Sequence, residues 1–383
     1  MTLRERIITS LEKRRKKVQE GGINCLPIPF TRFRQDFPGI EQGLYYLVSG
    51  ATKSGKTQLT NYLFVYNTVL YYYYNPNKLV AKIFYFPLEE TAEAITLRFM
   101  AFVLHHITKG EIKISPSDLK STDERKPLPQ EILDLMSTEA FISIMNCYEQ
   151  IVTFYDDRNP TGIWKTASNY AKANGTIKTK TIQIKEIDEL GIEHLVNREM
   201  FDYYIPNNPE EYVFIIVDHV SLLDSERGMT LRETINKLSE YMIILRNRYH
   251  YIPVIVQQQS TETQNLEAFK NNKIRPTVAG LADSKYTARD CSVMLGITNP
   301  HSYELSEYLG YNIRLLKSKA RFVEVVINRN GNANGICPLL FEGAINSFKE
   351  LPLPSSSGLD VLYSKLNQNI NKSFFVWARK LFK

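Results

Sequence analysis

Eight consecutive residues, Gly50-Ala51-Thr52-Lys53-Ser54-Gly55-Lys56-Thr57, have the types and spacing that hold a triphosphate. Glycines at the first and sixth places let the backbone wrap tightly, so that successive N–H groups point at phosphate oxygens. A helix opening at the end of the loop adds positive potential there. In such a loop Lys56 reaches the β- and γ-phosphates, and the Thr57 hydroxyl holds Mg²⁺. The surroundings agree, because the apolar run Leu44–Val48 precedes the loop and a helical stretch follows it. That strand–loop–helix order is the setting the pattern requires.

Three further runs supply partners for such a loop. Tyr212-Val213-Phe214-Ile215-Ile216-Val217-Asp218 is an apolar strand ending in an acid, and Asp218 is placed to hold Mg²⁺ through water. Phe86-Pro87-Leu88-Glu89-Glu90 closes another strand. A carboxylate at that end can polarise the water that attacks a γ-phosphate, or it can simply open the following helix, where acids are favoured. Pro253-Val254-Ile255-Val256 runs into Gln257-Gln258-Gln259-Ser260, a polar cluster that can sense a γ-phosphate or satisfy a strand end.

The elements that must position these groups alternate. Leu44–Val48, Lys82–Phe86, Ile151–Tyr155, Tyr212–Val217 and Pro253–Val256 read as strands buried on both faces of a mostly parallel sheet. Thr57–Leu70, Thr91–His106, Gly162–Ala173 and Leu231–Tyr249 read as the helices between them, which gives a doubly wound α/β domain. Val293–Ile297, Ile313–Leu316, Val323–Ile327 and Pro338–Phe341 read as short strands of an antiparallel extension. Residues 109–130 and 176–211 are polar and poorly periodic, and are expected to be insertions or loops. Residues 1–27 are expected to form an amphipathic helix and a linker, with Leu3, Ile7, Ile8 and Leu11 on one stripe. The run Lys13–Lys17 that follows is either a nucleic-acid contact or a solvated helix end. Residues 28–350 form the main domain, and 351–383 a linker and short helical tail carrying Phe374, Phe375, Trp377 and Leu381.

Composition narrows the setting. Lys plus Arg exceed Asp plus Glu by 47 − 41 = 6, which permits a polyanion partner without demanding one. Cys25, Cys147, Cys291 and Cys337 are too far apart for a zinc knuckle or a disulfide framework, so reduced thiols in a cytoplasmic setting are expected. No run reaches the ~18 apolar residues of a membrane span.

In this order the four motifs resemble the RecA-like motor domain of DnaB-type replicative helicases, from about Ile28 to Leu351. Pro87-Leu88-Glu89-Glu90 stands where that family has Ser-Leu-Glu-Met, which selects Glu89 as the catalytic base. Asp218-His219-Val220-Ser221-Leu222 resembles its Asp-Tyr-Leu-Gln-Leu, and its sensor glutamine falls on Gln259. Val326-Ile327-Asn328-Arg329-Asn330-Gly331 resembles its Lys-Gln-Arg-Asn-Gly run, which makes Arg329 the arginine finger offered to a neighbouring subunit. The resemblance implies an ATP- and Mg²⁺-dependent helicase moving on single-stranded DNA as a homo-oligomeric ring, a hexamer, in the compact form of phage and mobile-element members. Primase or loader partners go with it. The loop Ser260–Lys285 would touch DNA through Lys270, Lys273, Arg275 and Lys285. Two departures stand out: Ile327 replaces a family lysine and Ala282 a family arginine. They keep open an assembly or regulatory protein with reduced motor activity; the rival within ATPases is a filament-forming RecA- or RadA-like recombination protein.

Overall fold

The computed structural model describes residues 2–187, 191–260 and 274–368. Apart from four two-residue strands that form two small separate sheets, its strands, in chain order, are β1 (Tyr46–Gly50), β2 (Val80–Pro87) and β3 (Val152–Phe154), then a hairpin of β4 (Gly175–Ile187) and β5 (Glu193–Pro206). After it come β6 (Glu211–Asp218), β7 (Ile252–Gln258), β8 (Val293–Thr298), β9 (Ala320–Asn328), β10 (Ile336–Glu342) and β11 (Ser347–Glu350). All but the hairpin join one nine-stranded sheet in the order β11-β10-β9-β8-β1-β7-β6-β2-β3. The six strands from β8 to β3 are mutually parallel, and β9, β10 and β11 add on antiparallel.

Helices cover both faces because the strands are apolar on both. Along β6, Phe214 and Ile216 enter one core, while Val213, Ile215 and Val217 enter the other. The first core is covered by α2 (Lys56–Thr60), α3 (Asn67–Tyr74), α4 (Ala92–Ile107) and α5 (Glu139–Ile151). The second is covered by α6 (Pro160–Ala173), α7 (Leu231–Tyr249) and α8 (Tyr286–Asp290). A π-helical stretch, Asn61–Tyr66, joins α2 to α3, so the helix expected over Thr57–Leu70 is a single rod with a widened middle. The fold is the expected RecA-like α/β architecture with a parallel centre and an antiparallel extension.

Three expectations need correction. Of the two readings of residues 176–211, insertion or loop, the loop does not hold, because most of them lie in the β4–β5 hairpin. The period-two alternation is present, but its outer part buries no apolar face. That part is joined by the antiparallel backbone ladder and carries the exposed cross-strand ion pairs Lys180–Asp202, Lys185–Glu193 and Arg198–Glu186. Only its base packs, with Tyr204 edge-on to Tyr249 and Arg248 over Phe201. Ile313–Leu316 is a helical turn rather than a strand, capped by the Asn312 side chain accepting from the Leu315 N–H. Val293–Thr298 lies parallel to β1 and belongs to the central sheet, so the extension begins one strand later.

The amino-terminal helix, α1 (Leu3–Gln19), starts at a capping box between Thr2 and Glu5. It buries none of its residues, and Leu3, Ile7, Ile8 and Leu11 stay 47–66% exposed. In the basic run, Lys17 pairs with Glu210, Arg14 with Glu41 and Lys16 with Glu20. At the other end residues 357–368 are helical. Phe374, Phe375, Trp377 and Leu381 lie outside the described residues. No described helix is long and apolar enough to cross a membrane.

Candidate active site

The carboxyl ends of the parallel strands bring the sequence motifs to one edge of the sheet. Gly50 at the end of β1 is level with Gln258 of β7, and Asp218 of β6 with Pro87 of β2. The loop between β1 and α2 wraps tightly. A Cβ on Gly50 would stand 2.5 Å from both the Ile297 carbonyl oxygen and Ser54 Oγ, so only glycine fits. Gly55 has φ +104°, a conformation that side chains oppose.

Lys56 folds back across the loop, and its Nζ donates to the Ala51 carbonyl at 3.0 Å. It is buried, and desolvation lowers its pKa while Asp218 and Glu89 pull the other way. Asp218 is 3% exposed. Burial pushes its carboxyl up to about 6, helped by Glu89 and Glu90 and opposed by hydrogen bonds from Thr57 and Tyr85. The Tyr85 hydroxyl donates to Oδ2 at 3.3 Å, while Oδ1 is buried without a partner. A buried, orphaned carboxylate oxygen beside a threonine hydroxyl is a hard-oxygen pair that fits Mg²⁺. Mg²⁺ keeps most of its shell as water and phosphate, so one or two protein oxygens suffice. Among the described residues no cluster of three His, Cys, Asp or Glu offers a metal cage.

The two adjacent glutamates are unlike. Glu90 meets the Arg98 guanidinium at both oxygens, one contact being 2.7 Å. Glu89 is exposed, and its carboxylate lies 3.6 Å from His219 Nε2. Burial lowers the His219 pKa, aided by Lys56 and opposed by Glu89. The Leu88 N–H donates to the Asp218 carbonyl at 2.7 Å, which ties the glutamate turn to the end of β6.

The three glutamines divide. Gln257 is buried and donates to the carbonyls of Ala282 and Ser284. Gln258 donates to Thr52 Oγ1 of the loop. Gln259, the residue expected to sense phosphate, donates to Ser49 Oγ at 2.8 Å and pairs with the backbone of Thr277. Its amide is therefore turned to the strand beneath the loop, and Gln258 is the glutamine that touches the loop itself.

Arg329 is exposed, just past the end of β9. Its Nε donates to the Cys291 carbonyl at 2.8 Å, a second nitrogen to the Arg289 carbonyl, and its own N–H to the Ser292 carbonyl. Ser292 precedes β8, so Arg329 sits at the amino-terminal edge of the parallel strands. About eight residues of strand separate it from the phosphate-loop edge, roughly 26 Å at 3.3 Å per residue. It cannot reach the loop of its own chain.

Of the expected DNA contacts, Lys270 and Lys273 lie outside the described residues. Arg275 pairs with Glu324 of β9 at 2.6 Å, so its charge is neutralised within the domain. Lys285 is exposed beside α8. Sequence reasoning missed Tyr85, His219 and Arg321. Arg321 is 5% exposed, and its Nε donates to the Ser54 carbonyl of the loop at 2.6 Å. Its only sequence signal is a cation near the start of a mostly apolar strand.

No protein-family profile matches the chain, and no curated protein does. Solved structures do. One, an ATPase domain, superposes with a TM-score of 0.60 at 14% identity, covering 92% of this chain and 99% of that one. A DnaB-like replicative helicase, solved in a study of its interactions with primase, superposes at 0.61 and 16% identity, covering 92% of this chain and 67% of that one. At these identities the likeness is one of fold, and it extends over nearly the whole chain.

Proposed function

We propose that this protein binds ATP with Mg²⁺ at the loop Gly50–Thr57, hydrolyses it, and uses the energy to move as a ring along single-stranded DNA. The observation that carries the ATPase reading is the convergence at one sheet edge of Lys56, Thr57, the half-orphaned Asp218 and the exposed Glu89. Phosphoryl transfer needs little more than positioning and charge neutralisation. Ser54–Thr57 N–H groups and Lys56 would hold the phosphates, while Thr57 and Asp218 Oδ1 would hold Mg²⁺, whose charge would offset that of the phosphates. Glu89 accepts the proton of the attacking water. Glu90 cannot compete for that role while the Arg98 fork occupies both its oxygens. Gln258 reports the state of the loop. Gln259 joins the strand under the loop to Thr277, the far side of the segment that would meet DNA.

Assembly follows from Arg329, which is stranded at the wrong edge for its own nucleotide and so acts on a neighbour's. The uncovered stripe of the amino-terminal helix is the second contact between subunits, as an apolar face left in water is otherwise unfavourable. Of the basic side chains in the 260–285 segment, Lys270, Lys273 and Lys285 remain as DNA contacts.

ATP turnover with and without single-stranded DNA, together with unwinding of a forked duplex, tests this reading. DNA-stimulated turnover and unwinding are expected. A folded protein that hydrolyses no ATP would overturn the whole proposal. Hydrolysis on filaments without unwinding would place it with recombination ATPases instead.

A further inference from the structure

Arg321 is a buried cation without an acid. Among the described residues no carboxylate pairs with it, and its hydrogen bonds go to the carbonyls of Ser54, Ser318 and Ala320. Its guanidinium also lies 5.1 Å from the centre of the Phe341 ring. Burying a charge that meets only neutral acceptors is unfavourable. Accordingly, burial lowers its pKa to about 10, at which it is still protonated at neutral pH.

The placement of that charge explains what it does. Ser54 is the residue before the second glycine of the loop. In a trans peptide the C=O of one residue and the N–H of the next point in opposite directions. The Ser54–Gly55 peptide is not among the cis bonds of the chain. Holding the Ser54 oxygen on Arg321 therefore turns the Gly55 N–H to the opposite side of the peptide, away from the guanidinium. The same peptide carries Gly55 at φ +104°, a conformation the backbone holds only when its surroundings determine it. A Cβ on Gly55 would also come within 3.4 Å of Arg321 Nε, so the guanidinium is seated directly against the loop.

We infer that Arg321 is a positioning residue of the phosphate loop that acts in cis: it fixes the Ser54–Gly55 peptide so that the loop presents its N–H groups to the nucleotide's phosphates. Its role is opposite to that proposed for Arg329, eight residues further along the chain. The inference rests on the loop being the nucleotide site. The antiparallel extension is thereby part of the nucleotide machinery, since it carries the side chain that braces the loop.

The test uses the full chain with Arg321→Met, which keeps most of the volume, and Arg321→Lys, which keeps the charge but loses the planar fork. Affinity for MgADP is read by calorimetry, and folding by the thermal midpoint without nucleotide. Arg321→Met should weaken MgADP by about 10- to 100-fold, the range for one charge-assisted hydrogen bond, and Arg321→Lys should fall between it and wild type. Complementation separates positioning in cis from other defects. Mixed with Lys56→Ala subunits, Arg321→Met should recover no ATPase activity, because both lesions damage a subunit's own loop. Mixed with Arg329→Ala subunits it should recover part, because each then supplies what the other lacks. MgADP affinity within about twofold of wild type in either folded variant would overturn the inference, as would recovery with Lys56→Ala. If Arg321→Met does not fold, Arg321→Lys decides. Should Lys56→Ala itself bind MgADP like wild type, the nucleotide reading fails first, and that outcome is distinct from unchanged binding in the Arg321 variants alone.

Discussion

Asp218→Asn should stabilise the nucleotide-free protein while abolishing its Mg²⁺-dependent activity. The carboxyl is 3% exposed, one oxygen has no partner, and Glu89 and Glu90 add like charge. Its pKa in the fold is about 6, against an ordinary value of 3.8. Two units of difference correspond to roughly 3 kcal/mol at ~1.4 kcal/mol per unit. The sign follows from the direction of the shift. Below pH ~4 the group is neutral folded or unfolded, and it contributes nothing. Between pH ~4 and ~6 the unfolded chain ionises first, so wild-type stability falls as pH rises. Above pH ~6 both states are ionised, and the full penalty persists. Asparagine carries no such penalty and can still accept from Tyr85, but its NH₂ inherits the orphan position, so a net gain of about 1–3 kcal/mol is expected at pH ~7. Denaturant midpoints of both proteins with chelator present, measured from pH ~4 to pH ~8, give the test. The difference should be small at pH ~4, open up to pH ~6 and then stay level. A variant less stable than wild type at neutral pH, or a gap that does not depend on pH, would refute the account of Asp218 as an unpaired buried charge awaiting a cation.

Lys56→Ala should leave the protein folded and remove ATP hydrolysis, because among the described residues the side chain's hydrogen bond is to the loop carbonyl of Ala51; wild-type turnover would exclude the loop as the site. Glu89→Gln should slow hydrolysis by ~10²–10⁴-fold with ATP still bound, as expected for loss of a general base, whereas Glu90→Gln should chiefly loosen Arg98; the reverse pattern in single-turnover assays would move the base by one residue. Subunits carrying Arg329→Ala mixed with Lys56→Ala subunits should regain part of an activity that each lacks alone, arginine fingers contributing ~10³–10⁵-fold; co-assembled rings without recovery would exclude a shared site. Replacing Lys270, Lys273 and Lys285 by alanine should flatten the salt dependence of single-strand binding, while Arg275→Ala alone should not, since that charge is already paired with Glu324.

The parts legible in the sequence were those whose physics is local. Glycines at places 50 and 55, a lysine and a threonine in order, and an acid ending an apolar strand mark the candidate phosphate loop and cation ligand without tertiary information, and the structure brings them to one sheet edge. The strands around them were legible because burial on both faces leaves an unbroken apolar run, as in Tyr212–Val217. The hairpin was not, because its period-two alternation is short and diluted by charged and polar residues on both faces, and cross-strand ion pairs such as Lys180–Asp202 depend on register. Ile313–Leu316 misled because four apolar or basic residues suit a strand as well as a turn, and a cap one residue upstream decided between them. Among the glutamines, three equal side chains at a strand end carry no mark of direction. The β pleat and the Thr277 backbone settle which one faces the loop.

Arg321 and Arg329, at the two ends of β9, draw these elements into one argument. The strand runs antiparallel to its neighbour β8, so it starts at the edge where the phosphate loop sits and ends at the opposite edge. Arg321, second in the strand, is buried against the loop of its own chain, and Arg329, just past its end, is exposed roughly 26 Å away. A nucleotide held between two subunits would therefore touch one copy of the strand through the loop that Arg321 braces, and another copy through Arg329. Hydrogen bonds to β8 and β10 on either side fix the spacing between the two residues. Arg329 reaches a neighbour only after giving up its bonds to the carbonyls of Arg289 and Cys291, which adjoin β8 and the Ser292 that binds the start of β1. Release of that clamp and bracing of the loop are thus two ends of one rigid element. If subunits assemble as proposed, the antiparallel extension would be the member through which one subunit's nucleotide state depends on its neighbour's.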